Sequence, residues 1–397
     1  MQYFKSLSLT AAFCLMLPGL PAIAQSAFST WQQGFRATAL AQGISPALYD
    51  SAFSGVSLNQ DVIGYDRLQP EFSKPIWAYL DTAVSADRLR EGRQKLRQRR
   101  GLLRRIEARY RVDAEVVVAI WGLESNYGQN RGDIYTIEAL ATLAFDGRRA
   151  RYGSQQLIAA LKILQAGHVS RRNMRGSWAG AMGHTQFIPT SFLALAVDYD
   201  GDGKRNIWAE DPADALASTA NYLRQNGWVQ GQPWGVEVTL PEGFDYARAD
   251  ITNRQSAAYW RALGVKRAGG GALPNYSEAA LLLPAGAGNP VFAVYKNFRV
   301  IQSYNNSVSY AMSVGHLADR LNGGGDFMRP WARDAAELTR EQVSELQTLL
   351  TARGFSTGGT DGVAGAKTRT AIIAYQRDQG IKADGFASAS LLERLRH

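Results

Sequence analysis

The strongest constraint on this chain is the apolar run from Val112 to Ile120, which has almost no polar member after Glu115. Glu124 follows this run. Val117, Ile120 and Glu124 are spaced i, i+3 and i+7, so a helix places the carboxyl on the same face as two core residues. A carboxyl buried in this way can stay protonated near neutral pH and act as a proton donor. This segment alone fits a surface Glu, or a buried partner of an Arg, equally well.

The N-terminus predicts export. Residues 1–24 have the pattern of a secretory signal, with Lys5 before an apolar stretch over residues 7–17 and a small-residue cleavage site. The apolar stretch is too short for a membrane span. Cys14, the only cysteine, follows the bulky Phe13, which disfavours acylation. We therefore predict a soluble periplasmic protein that is not a lipoprotein and has no thiol after processing.

The charge of the chain favours an anionic partner. The formal net charge is +9. It falls to +8 without the signal, because Lys5 is the only charged residue of that segment. A positive protein is attracted to nucleic acid, to a membrane surface or to an acidic wall polymer, and export argues against nucleic acid. The densest basic run, residues 93–111, is interpreted as a solvated helix face.

The hydrophobic periodicity predicts an α+β chain that is predominantly helical. Several segments, such as Ile134 to Phe145, have helical spacing, whereas short strand-like runs bounded by Gly and Pro occur between Val236 and Tyr304. The predicted order is a signal (1–24), a catalytic domain (25–325), a linker (326–336) and a C-terminal module (337–397). Within residues 25–325 we predict a helical part (25–111), a mostly helical core (112–235 and 304–325) and a small β-rich insertion (236–303).

The C-terminal module has the pattern of three short helices. Thr339 and Gln342 form a predicted capping box at the start of the first helix. Asp361-Gly362 and Asp384-Gly385 are turn signals before the other two helices. A module of this size is near the lower limit for independent folding, and it carries no catalytic constellation, so binding is its expected role.

Two further segments carry possible ligand contacts. Residues 176–191 place three glycines beside aromatic and amide side chains, and Gln186 could form bidentate hydrogen bonds to an acetamido group. Tyr304 and Tyr310 could stack on sugar faces. A tight inter-helix turn and ordinary core packing are the structural alternatives for these two segments.

Taken together, these segments resemble the lytic murein transglycosylases of the B type. The resemblance runs from about residue 27 to residue 321 and rests on four ordered motifs: Glu124-Ser125-x-Tyr127-Gly128, Thr136 to Phe145, Gly180-Ala181-Met182-Gly183-x-x-Gln186-Phe187, and Tyr304-Asn305-x-Ser307-x-x-Tyr310. Residues 337–397 separately resemble the peptidoglycan-binding three-helix module. The matching residues there are Leu346-Gln347, Asp361-Gly362-Val363-x-Gly365-x-x-Thr368, Tyr375-Gln376 and Asp384-Gly385.

The resemblance implies a lysozyme-like core that cleaves the β-1,4 bond between N-acetylmuramic acid and N-acetylglucosamine and leaves a 1,6-anhydro sugar. Glu124 matches the single catalytic acid, which would protonate the leaving oxygen and then take a proton from the C6 hydroxyl. An intramolecular nucleophile removes the need for a second carboxylate. By motif position, the residues expected to line the saccharide groove are Ser177, Gln186, Tyr222, Tyr304, Asn305 and Tyr310.

An acidic loop predicts a structural Ca²⁺ site. Asp198, Asp200 and Asp202 occupy positions one, three and five of an EF-hand-like run, with the carbonyl of Lys204 at position seven. Ala209 stands where the usual Glu would be. The resembled family closes its loop later, at the position of Asp214 here, and Glu210 or Asp211 could substitute. A metal-free polar turn is the alternative, and no organic cofactor is expected.

Two other functions remain open from the sequence. A hydrolytic muramidase on the same scaffold would need a second carboxylate to activate water, and the spacing of Asp133, Glu138 and Asp146 does not exclude them. A non-catalytic wall-binding or scaffold protein belongs to a different class. We predict peptidoglycan glycan strands as the partner, with no transmembrane span. Any wall-synthesis or division proteins that it joins are left unidentified.

Overall fold

The computed structural model of the chain describes residues 20–68, 75–333 and 338–397. Most of the predicted signal, residues 1–19, lies outside these ranges, as do residues 334–336 of the predicted linker and residue 337 of the predicted module. Within the described residues, none of the helices combines the length and the apolar character needed to cross a membrane.

The first third of the described chain is entirely helical. Its helices are α1 (Leu20–Ala41), α2 (Pro46–Phe53), α3 (Gln60–Leu68), α4 (Ile76–Ala83), α5 (Ala86–Gln98) and α6 (Arg100–Tyr110). The core region that follows contains α7 (Ala114–Ser125), β1 (Ile134–Tyr135), α8 (Thr136–Asp146), α9 (Ala150–Gln165), β2 (Arg175–Gly176), α10 (Pro189–Leu195) and α11 (Ala213–Gln225).

Helix α7 is the centre of the largest hydrophobic core. Residues 116–121 are all buried, and the helix packs against α5, α6 and α11. Its ends are fixed by specific contacts. The Asp113 carboxylate accepts a hydrogen bond of 2.8 Å from the indole N–H of Trp228 at the start of the helix. Asn126, with a left-handed φ of 48°, ends the helix directly after Ser125.

The predicted helix from Ile134 begins two residues later than expected. Ile134 and Tyr135 instead pair with Gly176 and Arg175 as a two-stranded antiparallel sheet, β1–β2. The amide of Thr136 donates to the carbonyl of Met174 at 3.0 Å and continues this contact. A tertiary partner forty residues away in the chain therefore overrides the local helical pattern.

The next region is the small β-containing part. Its elements are β3 (Gly235–Thr239), a 3-10 turn (Tyr246–Arg248), α12 (Ala257–Ala262), β4 (Lys266–Arg267), β5 (Ala280–Leu282) and β6 (Val291–Val294). The four strands form one antiparallel sheet in the order β4-β3-β6-β5. Trp260 of α12 packs fully buried on this sheet, and its indole N–H donates to the carbonyl of Ala279 at 2.9 Å.

Two helices return the chain to the helical core. They are α13 (Lys296–Tyr304) and α14 (Val308–Leu321). Residues 296–303 were predicted as part of the β-rich insertion, but they form α13, whose Phe298 and Ile301 are buried in the same core as α7. Helix α14 packs along α7, α4 and α5. The fold class predicted from the sequence, mostly helical with a small antiparallel sheet, is confirmed.

The C-terminal module consists of α15 (Arg340–Ala352), α16 (Ala366–Asp378) and α17 (Ala389–Arg396). The predicted capping box is confirmed, because Thr339 and Gln342 exchange both hydrogen bonds. The three helices share a core of Leu346, Ile372, Leu391 and their neighbours.

The module is docked on the β-containing part by polar contacts. Arg369 of α16 donates to the carbonyls of Tyr246 and Ala249, each at 2.9 Å, and is mostly buried. The Asp384 carboxylate accepts from the amide of Ala287 at 2.9 Å. These contacts satisfy backbone groups of the insertion and fix one side of α16.

The described part of the linker also lies on the catalytic unit. We call residues 326–333 the strap. The amides of Met328 and Arg329 donate to the Glu237 carboxylate of β3 at 2.6 and 2.8 Å. Arg333 makes a two-pronged ion pair with Asp81, just beyond the middle of α4.

The close approach of α8 and α9 generates a stability prediction. A Cβ added at the buried Gly153 would lie 2.4 Å from the backbone nitrogen of Ala144. Because backbone cannot yield as a flexible side chain can, Gly153→Ala should destabilise the fold by about 1–3 kcal/mol in urea unfolding. Gly34 of α1 has no atom near its added Cβ, so Gly34→Ala should stabilise by about 0.5–1 kcal/mol. Equal effects of the two substitutions would contradict the packing argument.

Candidate active site

Glu124 lies in the last turn of α7, where the chain leaves the core. Asn126, Tyr127 and Gly128 have φ values of 48°, 58° and 89°, so the backbone turns sharply directly after the helix. Tyr127 points back into the core and donates to the carbonyl of Arg88 at 2.8 Å. The turn leaves the Glu124 side chain partly buried at the surface of the core rather than projecting into solvent.

A tyrosine hydroxyl holds the Glu124 carboxyl. Tyr310, buried in the first turn of α14, donates to Glu124 Oε1 at 2.5 Å. Desolvation raises the pKa of Glu124 from 4.5 to about 7, and the hydrogen bond from Tyr310 partly opposes this shift. The carboxyl is therefore substantially protonated at neutral pH and becomes an anion over a small pH range.

Three aromatic rings form a wall beside this pair. Tyr222 of α11 and Tyr304 of α13 have ring centroids 4.8 Å apart, and Phe187 lies 5.9 Å from each of them. The hydroxyl of Tyr304 donates to the carbonyl of Thr185 at 2.6 Å, and that of Tyr222 donates to the carbonyl of Ser303. Burial, together with the charge of Glu124, raises the pKa of Tyr304 well above its usual value.

Gln186 lies in the glycine-rich loop that connects β2 with α10. Its φ is 53°, and its amide nitrogen donates to the carbonyls of Arg131 and Gly183 at 3.0 and 2.9 Å. Both amide hydrogens are therefore engaged, and only Oε1 is available to a ligand. In this arrangement Oε1 of Gln186 can accept from a sugar N–H or O–H, and the predicted bidentate contact would require Nε2 to release one of these two carbonyls.

The same loop positions Ser177, and Asn305 follows the aromatic wall. The Ser177 hydroxyl accepts from the amide of Ala181 at 3.1 Å, and its backbone N–H donates to the Ala181 carbonyl at 2.8 Å. A Cβ at Gly176 would lie 2.1 Å from that carbonyl, so only glycine fits there. Asn305 is exposed at the end of α13, beside Tyr304.

The three carboxylates considered as the second acid of a hydrolytic muramidase have other contacts. Glu138 accepts from the side-chain amide of Asn59 at 2.7 Å, and Asp146 pairs with Arg67 at 3.1 Å. Asp133 is exposed in the loop before β1. Among the described residues, no acid contributes to the shift in the pKa of Glu124, which depends on burial and on Tyr310.

The acidic loop lies apart from this cleft, between α10 and α11. Oxygens of Asp198, Asp200 and Asp202 come within 4.8 Å of one another. The Asp198 carboxylate accepts from the amides of Gly201 and Gly203 at 2.8 and 2.9 Å, so the loop curls around these three side chains. Hard divalent cations prefer such a set of oxygens.

Asp214 occupies a different place from the three loop acids. It is buried at the start of α11, and its two oxygens accept from the amides of Tyr199 and Asn206 at 2.8 and 2.7 Å. Asp214 therefore pins both ends of the loop. Glu210 pairs with Arg131 and Asp211 with Arg99, so neither belongs to the cluster.

Comparison with protein families decides what this architecture is. Residues 27–319 match the family described as the transglycosylase SLT domain. The chain belongs to this family. Residues 339–395 match a peptidoglycan binding domain, and both resemblances predicted from the sequence are confirmed.

Individual relatives agree with this assignment. The transglycosylase is 35% identical over 257 residues to membrane-bound lytic murein transglycosylase B of Escherichia coli K12, covering 61% of this chain and 66% of the relative, just under two thirds. SltB3 of Pseudomonas aeruginosa in complex with NAG-anhNAM-pentapeptide is similar over 93% of this chain and 99% of SltB3, with 51% identity and a TM-score of 0.91. The E. coli lytic transglycosylase Slt35 in complex with calcium matches at 28% identity, over 77% of this chain and 98% of its own, with a TM-score of 0.63.

Sequence reasoning missed the polar residues that hold helix α7 in place at the candidate site. Ser125, directly after Glu124, donates to the carbonyl of His184 at 2.5 Å, and the indole N–H of Trp121 donates to His184 Nδ1 at 3.2 Å. Ser125 belongs to a motif that carried the family resemblance, His184 occupies an unspecified position of another, and Trp121 lies three residues before Glu124. Their polar character inside a buried stretch was the available signal.

The burial of Glu124 predicts a pH-dependent stability difference. A folded-state pKa of about 7 against 4.5 when unfolded means that the wild type loses stability as pH rises between these values. Glu124→Gln stays neutral, so it should exceed the wild type by about 3 kcal/mol at about pH 8 and equal it near pH 4. Urea unfolding at both pH values measures this, and a difference that does not change with pH would contradict it.

Proposed function

We propose that this lytic transglycosylase cleaves the β-1,4 bond between N-acetylmuramic acid and N-acetylglucosamine without water and leaves a 1,6-anhydro-muramic end. The observation that carries this proposal is the single carboxyl with a raised pKa, Glu124, which is held by Tyr310 and has no second acid beside it among the described residues. One acid suffices when the nucleophile belongs to the substrate itself.

Glu124 acts first as an acid and then as a base. It gives its proton to the leaving glycosidic oxygen as the anomeric bond breaks. The carboxylate then accepts the proton of the C6 hydroxyl, whose oxygen bonds to the anomeric carbon of the same sugar. The acetamido group of the substrate can stabilise the positive charge between these steps, one of the known exceptions to a protein nucleophile.

Tyr310 assists both states of the carboxyl. Because its hydroxyl donates to Oε1, Oε2 is the oxygen that carries the transferable proton. After that proton has left, the same hydrogen bond becomes charge-assisted and stabilises the anion. A pKa near 7 makes donation and recovery of the proton nearly balanced, which suits a group with two successive roles.

The surrounding side chains supply the saccharide groove. Tyr222 and Tyr304 have their hydroxyls engaged by backbone carbonyls, so their rings are the surfaces offered to sugar faces. Gln186 contributes an acceptor oxygen and Asn305 an exposed amide. Ser177 completes this set at the opposite end of the glycine-rich loop.

We also propose the substrate polymer and the cellular location of the protein. The E. coli and Pseudomonas relatives are named as a murein transglycosylase and as a complex with a wall fragment, which supports peptidoglycan as the polymer for this chain. The signal over residues 1–24 would deliver the protein to the periplasm without a lipid. The catalytic domain is assigned to residues 25–325 and the wall-binding module to 337–397.

We also propose a structural Ca²⁺ in the acidic loop. The clustered oxygens of Asp198, Asp200 and Asp202 fit a hard cation, with the carbonyl of Lys204 as a further ligand. Asp214 would stabilise the loop by accepting hydrogen bonds from the amides of Tyr199 and Asn206. The calcium complex of Slt35 supports this assignment.

Product analysis tests the proposed reaction. Purified sacculi digested by the wild type should release muropeptides whose muramic ends are lighter by one water than hydrolysed ends, as measured by mass spectrometry. Glu124→Gln should lower the rate by about 100- to 10,000-fold while still binding sacculi, because it keeps the fold and loses only the proton. Reducing ends that have gained water would establish a muramidase instead. Unchanged turnover in Glu124→Gln would show that Glu124 is not the catalytic acid, and a wild type that binds sacculi without any turnover would be a wall-binding protein.

Thermal unfolding tests the metal. Ca²⁺ at 100 times its dissociation constant should stabilise the protein by about 2.7 kcal/mol, because it binds only the folded loop. Asp200→Asn should abolish the response. Asp211→Asn, an exposed acid outside the cluster, should retain it. A melting temperature that changes with neither Ca²⁺ nor a chelator would remove the assignment.

A further inference from the structure

His184 occupies the point where three segments of the active site meet. Its backbone N–H donates to the carbonyl of Ile207 at 3.1 Å, and its carbonyl accepts from Ser125 at 2.5 Å. Its ring lies against Trp121, with centroids 5.8 Å apart. One residue therefore contacts the end of the catalytic helix and the segment that follows the acidic loop, while itself belonging to the loop that carries Gln186.

The hydrogen bonds fix the chemical state of the ring. Because an indole N–H can only donate, Nδ1 of His184 must accept from Trp121 and carry no proton. Nε2 then carries the proton and donates to the carbonyl of Ala209 at 2.7 Å, so the Arg131 guanidinium, 3.3 Å from Nε2, is a neighbouring charge and not a hydrogen-bond partner of the ring. Protonation of Nδ1 would place two donors face to face in a buried site.

The surroundings keep the ring neutral. Burial is the largest cause that lowers the pKa of His184, and the positive charges of Arg131 and Arg99 act in the same direction. The carbonyl of Ala209 and the charge of Glu210 oppose them. The lowered pKa therefore favours the neutral imidazole, which is the form that the hydrogen bonds of the ring require.

The backbone around the ring is shaped to receive it. A Cβ at Gly128, whose φ is 89°, would lie 2.4 Å from His184 Nδ1. At Gly183 a Cβ would lie 2.4 Å from the carbonyl of Ile207. Two glycines thus leave no space between the turn after Glu124, the imidazole and the neighbouring segment.

We propose that His184 is a positioning residue that fixes the Glu124 carboxyl relative to the Gln186 loop and keeps water from entering behind it. The proposal rests on the proposed function, because it assigns the imidazole a role in the reaction that Glu124 performs. Arg131 extends the arrangement. Its backbone carbonyl accepts from Gln186 Nε2, and its guanidinium donates to the carbonyl of Trp208 at 2.8 Å.

Kinetics on soluble glycan fragments of the wall test this role. His184→Phe retains a ring but loses both hydrogen bonds, and it should lower kcat by about 10- to 100-fold with KM changed less than about threefold, since misplacement of about 1 Å has such effects. His184→Gln can keep the donor to Ala209, and His184→Asn can keep the acceptor for Trp121. Each should restore part of kcat. Trp121→Phe removes only the N–H that donates to His184 Nδ1. It tests the same contact if His184→Phe does not fold.

The pH profile separates positioning from a general structural role. In the wild type, kcat should fall as pH rises through about 7, where Glu124 loses its proton. In His184→Phe this limb should move towards lower pH, because water admitted beside the carboxyl reduces its desolvation. His316, another buried imidazole, stacks on Phe327 of the strap, and His316→Gln should lower the melting temperature without moving the limb.

Three results would overturn the inference: a limb that stays in place in His184→Phe, a loss of kcat matched by His316→Gln, or a fall in activity explained by KM alone. Glu124→Gln is measured in parallel. If Glu124→Gln is inactive and the His184 variants behave as wild type, only the positioning role fails. If Glu124→Gln remains active, the proposed function itself fails.

Discussion

The active site depends on the removal of one carboxyl from water. Glu124 is attached to a helix whose other residues form the centre of the core, so its position follows from packing that has nothing to do with sugar chemistry. Desolvation makes the carboxyl hold a proton near neutral pH, and the hydroxyl of Tyr310 prevents the anion from becoming too costly. These opposing effects bring the pKa of Glu124 close to neutral pH, so the same carboxyl can donate and accept a proton. The tyrosines and the glycine-rich loop are arranged around it.

Periodicity and capping signals were sufficient for most of the fold. The apolar spacing of α7 and the capping box of α15 are local properties, and both were read correctly from the sequence. Strand β1 was missed because its partner lies about forty residues away, and α13 was assigned to the insertion because Lys296 follows a strand without an obvious break. Local patterns do not contain such distant contacts.

For the candidate site, too, the sequence predicted local features but not the contacts between distant segments. The ordered motifs name the side chains, but not their orientation. Gln186 was predicted to present its whole amide to a ligand, whereas its amide nitrogen donates to the backbone carbonyls of Arg131 and Gly183. Asp214 was predicted as a ligand of the metal, but the sequence did not indicate that its two oxygens also accept from the loop amides of Tyr199 and Asn206. His184 occupies an unspecified position of a motif and was given no role, because its partners Trp121 and Ser125 are 63 and 59 positions away.

The strap and the contacts of Arg369 have a mechanical consequence. A binding module on a free tether samples a broad volume, and its benefit to a neighbouring site depends on tether length. Here Arg369 is fixed on the insertion and Glu237 and Asp81 hold the strap. Under the proposed function, the protein therefore fixes the distance between the module's contact with the polymer and the bond that is cut. Substitutions in these polar contacts would change that distance, whereas a longer loop would not.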